Sequence, residues 1–144
     1  MRRQQLAALQ RIAIRLGLAC LVLSFAFPQE AQDGANGVRI LSNDKTYQID
    51  YLMEPEIIEF GERFSILVTP QRVDGGVFSA KLAVDARMPE HGHGMNREPQ
   101  LEYNQDGSVT VTNLYFHMPG YWEVYFDFTV GAITERAQYS IDVD

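Results

Sequence analysis

The sequence predicts an all-β fold: an immunoglobulin-like antiparallel β-sandwich of about seven strands, preceded by an N-terminal signal or anchor helix. Three observations predict it. Apolar residues alternate with polar ones along most of the chain, the period of a strand with one buried face. Breakers separate the alternating runs at short intervals, at Glu54-Pro55, Asp74-Gly75-Gly76, Asp106-Gly107, Pro119-Gly120 and Gly131. Past residue 45, no window sustains a 3.6-residue period with caps. Short strands with turn signals over roughly 100 residues form the sandwich pattern, because two half-apolar sheets must cover each other's buried faces.

The strands follow in order. Tyr47, Ile49 and Tyr51 alternate with Gln48 and Asp50. Phe64, Ile66 and Val68 share a face. Val77 to Val84 sets Phe78, Ala80, Leu82 and Val84 opposite Val77, Ser79, Lys81 and Ala83. Ser108 to Phe116 alternates Val109 and Val111 with Thr110 and Thr112. Tyr121 to Val130 puts Trp122, Val124, Phe126 and Phe128 on one side. Ala132 to Val143 closes the domain with Ala137, Tyr139, Ile141 and Val143 in phase.

The first 45 residues have another character. Arg2, Arg3, Arg11 and Arg15 precede an apolar run from Leu16 to Phe27. A basic leader before an apolar core of about 7–15 residues is the mark of a secretory signal. A transmembrane helix asks for about 20 apolar residues. Ser24 and Ala26 place small residues at −3 and −1 of a cut after Ala26. Residues 1–27 are therefore expected to be a signal peptide, with an uncleaved inner-membrane tether over residues 12–27 as the alternative. Residues 28–45 read as a linker, and 46–144 as the domain. The expected location is periplasmic or otherwise extracytoplasmic, with membrane contact through the N-terminal segment alone. Cys20 is the one cysteine, and Gly17 stands where a lipoprotein signal wants an aliphatic residue. Lipidation at Cys20 is a minor alternative.

Of the 12 Lys and Arg residues, four lie in the leader, leaving 8 against 19 acidic residues, a net charge of −11 beyond it. Such a charge disfavours nucleic acid and anionic membrane surfaces as partners. Without cysteine, the domain can hold a metal only through His, Met or carboxylate.

Two segments break the strand pattern and gather that chemistry: Met88-Pro89-Glu90-His91-Gly92-His93-Gly94-Met95, and His117-Met118-Pro119-Gly120. They hold all 3 histidines and three of the 5 methionines. In an extended chain His91, His93 and Met95 would project to one side. Imidazole with thioether is a borderline-to-soft donor set that suits copper, the thioether favouring Cu(I). Calcium and magnesium would want oxygen clusters. The candidate metal ligands are thus His91, His93, Met95, Met88, His117 and Met118. Against this stands a plainer view in which Pro and Gly simply make tight loops and Met88 and Met118 fill the core.

An enzyme is not expected. Ser65, Ser79 and Ser108 lie in strand patterns without a nucleophile elbow. Glu90 and His91 are adjacent and point apart in an extended chain. Trp122, with Tyr121 and Tyr125, reads as a sandwich-core aromatic before it reads as a binding surface.

The motif Arg87-Met88-Pro89-Glu90-His91-Gly92-His93-Gly94-Met95, followed by Asn113-Leu114-Tyr115-Phe116-His117-Met118-Pro119-Gly120-Tyr121-Trp122, resembles the YtkA-like domain family, over about residues 46–143. The resemblance implies an exported or membrane-tethered immunoglobulin-like sandwich related to FixH-type proteins, although the leader here is short for that arrangement. It implies copper-transport or oxidase-assembly proteins as partners. The competing expectation is a metal-free sandwich that docks on an envelope or membrane partner through its loops.

Overall fold

The computed structural model describes residues 37–144. The leader, the cut after Ala26, Cys20 and the first part of the expected linker lie outside the described residues.

Nine strands build two antiparallel sheets: β1 (Val38–Leu41), β2 (Tyr47–Glu54), β3 (Arg63–Arg72), β4 (Lys81–Met88), β5 (His93–Gly94), β6 (Gln100–Tyr103), β7 (Val109–Tyr115), β8 (Gly120–Val130) and β9 (Ile133–Val143). One sheet runs β1-β2-β3-β7-β6 and the other β5-β4-β8-β9. They form a β-sandwich with a shared core. Tyr47 of the first sheet stacks on Phe128 of the second, ring centroids 4.9 Å apart, and Tyr51 meets Phe126 at 5.7 Å.

Period-2 alternation produces this core directly. Ile49, Ile66, Val68, Val111, Trp122, Val124 and Phe126 are fully buried, and each lies on the face its run reserves for apolar residues. Full burial of one such side chain stabilises by roughly 1.5–3 kcal/mol relative to exposure.

The structure departs from the expected strands at three places. Val38–Leu41, in the stretch read as linker, pairs with β2 from Leu41↔Gln48 through Val38↔Tyr51. Its residues are mostly exposed, so burial leaves no alternating signature there. The run from Val77 becomes a strand only at Lys81 and continues to Met88. Val77 is 86% exposed, whereas Phe78 packs edge-on against both Tyr47 and Phe128. The two short strands β5 and β6 complete a count of nine where about seven were expected; at two and four residues they are too brief for a period to register.

β4 and β8 are antiparallel neighbours, with Arg87 opposite Glu123. The end of β4 at Met88 and the start of β8 at Gly120 therefore lie at the same end of the sandwich. The chain crosses from the first sheet to the second through Phe116–Pro119, between β7 and β8.

Candidate functional site

Both histidine-bearing segments meet at this end. After Met88 the chain does not stay extended. Pro89 opens a single turn of 3-10 helix, Pro89–His91, and Gly92 closes it in the left-handed conformation with φ 69°. Proline is preset for a first helical position, and glycine enters φ > 0 without a Cβ penalty. The Gly92 N–H donates to Met88 O at 3.0 Å. The turn reverses the chain, so His93 pairs with Met88 and Gly94 with Arg87. The Met95 N–H then donates to Ala86 O at 3.1 Å.

His91, His93 and Met95 consequently do not line one face of a strand, as alternation had indicated. His91 ends the helical turn and is exposed, while His93 is half-buried on the sheet. Their ring centroids are 5.8 Å apart. The closer partner of His93 comes from the other segment: its ring centroid lies 5.0 Å from that of His117, the planes inclined at 38°. Two imidazoles bound to one tetrahedral ion have centroids on the order of 5 Å apart, given metal–nitrogen bonds of about 2.0 Å.

The hydrogen bonds of the two rings differ. His117 Nδ1 is buried and has no hydrogen-bond partner among the described residues. A buried polar atom without a partner is uncommon and calls for an explanation such as a bound ion. His93 Nδ1 lies 3.4 Å from Gly94 O, a long contact. With the proton on Nδ1, Nε2 is left with its lone pair, the tautomer a metal-binding imidazole adopts.

The floor of the site is Trp122. Its indole is fully buried and stacks on Phe116, centroids 4.7 Å apart at 26°. Its Nε1–H donates to Met118 O at 3.1 Å, which ties the crossover segment down. Its ring stands edge-on to His117 at 5.4 Å and to His93 at 6.3 Å. Sequence reasoning treated Trp122 as a core residue, and it is one. The same indole is also what both histidines rest against, a relation created by the crossover and not visible in the alternation.

The three methionines are not equivalent. Met88 is a core side chain, 1% exposed, directly opposite His93 across the β4–β5 pair. Met95 and Met118 are partly buried and pack against the core. Gly120 has φ +120°, and a Cβ placed there would lie 3.0 Å from Met88 Cε. The glycine of the Met-Pro-Gly turn thus leaves the space that the Met88 methyl fills.

Among the described residues, no three His, Cys, Asp or Glu side chains converge into a metal cluster. A site here would combine imidazoles with thioether sulfur, a softer set than zinc, calcium or magnesium would select. Comparison of the chain with protein-family models, curated proteins and solved structures gives no match.

Proposed function

We infer that this protein is an exported envelope protein that binds and handles copper through its histidine–methionine end. The observation that carries the reading is the juxtaposition of His93 and His117 at 5.0 Å, with the buried Nδ1 of His117 unpartnered. His93 and His117 form the core of the proposed ligand set. His91 is the exposed third imidazole, and thioether comes from Met118, Met95 and Met88. Copper when bound would be held by nitrogen in its oxidised form and drawn toward sulfur in its reduced form.

The residues of the domain orient that set. Trp122 excludes water beneath the rings and anchors the crossover, and Gly92 and Gly120 set the two turns. The acidic surface, with a net charge of −11 beyond the leader, raises the local concentration of cations. The basic, apolar leader supports export to the periplasm with cleavage or tethering at the inner membrane. The antiparallel sandwich and the two motifs support a YtkA-like, immunoglobulin-like domain serving copper-transport or oxidase-assembly partners.

The test is Cu(I) titration of the purified protein against a competing chelator. His93→Ala and His117→Ala are each expected to weaken binding at least about tenfold, equivalent to about 1.4 kcal/mol. An affinity unchanged in the variant lacking both imidazoles would overturn the reading.

A further inference from the structure

A second feature lies on the first sheet. Four arginines of the domain hold carboxylates: Arg39 with Asp50, Arg72 with Asp74, Arg87 with Asp85 and Arg136 with Asp127. Arg63 and Arg97 hold none among the described residues. In a domain with more than twice as many acidic as basic groups, two arginines without a carboxylate partner stand out. Both line one surface depression of about 580 Å³.

The backbone builds this depression. β3 and β7 pair as Arg63↔Tyr115 and Phe64↔Leu114, and then skip to Ile66↔Val111. Ser65 on β3 therefore faces two residues on β7, Thr112 and Asn113, in a β-bulge. Asn113 takes φ 62°, a left-handed conformation uncommon outside glycine. Its Nδ2 donates to Glu98 O at 2.9 Å and fastens the segment after Met95 over the bulge. That segment carries Arg97, whose guanidinium carbon lies 5.1 Å from the centroid of the Tyr115 ring. Tyr115 is also the cross-strand partner of Arg63. Bulges and left-handed non-glycine residues concentrate at functional sites, because each re-aims side chains at a cost in backbone energy.

We propose that this depression is a binding site for a small carboxylate that also bears a hydroxyl or ammonium group. The planar guanidinium forks of Arg63 and Arg97 match a carboxylate in bidentate fashion. Ser65 and Thr112 line the same depression, and a hydroxyl of either can supply a further donor. Glu54, also in the lining, is an acceptor for the ligand's own hydroxyl or ammonium. Glu54 and the acidic domain around it disfavour a dianionic phosphate. The proposal stands apart from copper binding, since it uses none of the histidines or methionines.

The experiment is calorimetric titration of the purified protein with L-lactate, L-glutamate and inorganic phosphate at low ionic strength. Lactate or glutamate is expected to bind with a dissociation constant of about 1 mM or tighter, and phosphate more weakly. Arg63→Gln and Arg97→Gln are each expected to weaken the carboxylate at least about tenfold, with Cu(I) affinity unchanged. Both side chains are exposed, so the folded state is expected to survive. Arg63→Lys and Arg97→Lys, which keep charge but lose the fork, are expected to give intermediate weakening. No saturable binding of either carboxylate, phosphate bound as tightly, or binding retained in the double glutamine variant would each overturn the proposal. A peptide ending in glutamate separates the sources: binding tighter than free glutamate would overturn a small-molecule ligand in favour of a polypeptide carboxylate.

Discussion

Gly120 stands against the thioether methyl of Met88, close enough that a Cβ at position 120 would lie 3.0 Å from Met88 Cε. The contact is with the end of a flexible side chain, which can give way. The φ of +120° at Gly120 cannot, because L side chains avoid that region.

Gly120→Ala is therefore expected to destabilise the domain by about 1–3 kcal/mol, mainly through the backbone. Urea denaturation measures it. Made in a Met88→Ala background, the substitution should cost nearly the same. Rescue by Met88→Ala would assign the effect to the clash.

Trp122 is the one tryptophan of the chain, and its indole lies against both central histidines. Cu(II) bound there should quench its fluorescence, saturating near one equivalent. His117→Ala should abolish the saturable quenching while the unliganded emission spectrum stays that of a buried indole. Removal of the exposed His91 should have a smaller effect.

Glu135 gives the domain an acid-sensitive fastening. Its carboxylate is buried and accepts from Ser42 Oγ at 2.7 Å and from the Thr46 N–H at 3.3 Å. Burial pushes its pKa up, but the hydrogen bonds from Thr46 and Ser42 outweigh it and leave the group below its ordinary value. A depressed carboxylate contributes stability that is present above its unfolded pKa and lost as pH falls through the folded one. Stability should thus decline from about pH 4.5 downward. Glu135→Gln should flatten part of that decline. At neutral pH, Glu135→Ala should cost about 1 kcal/mol, because the Thr46 N–H loses its acceptor while the Ser42 hydroxyl can still donate to Tyr47 O. Denaturant midpoints across pH 3–7 check all three.

The leader carries its own prediction. In an envelope extract, N-terminal sequencing should find the mature chain beginning at Phe27, after the small residues Ser24 and Ala26. A chain beginning at Met1 in the membrane fraction would select the tether.

Much of the sandwich was legible because side-chain alternation reports one buried face. Trp122, Val124, Phe126 and Phe128 are all buried as their spacing requires. The order of strands was not legible, since alternation says nothing about which edge meets which. Val38–Leu41 was missed because an exposed edge strand needs no apolar period. At the candidate site, the gathering of His and Met into two loops was visible. The reversal at Gly92, which separates His91 from His93, turned on one left-handed residue after a proline and overrode the extended reading. That Arg63 and Arg97 line one depression depends on a bulge and a cross-strand neighbour. Local sequence carries no trace of either.

The indole that joins the centre of the fold to the two imidazoles has a consequence for any ion the two rings would hold. A side chain set in the middle of the packed interior resists displacement, so the rings leaning on it are held in one arrangement before any ion arrives. Ligands held that way would reorganise little when an ion binds.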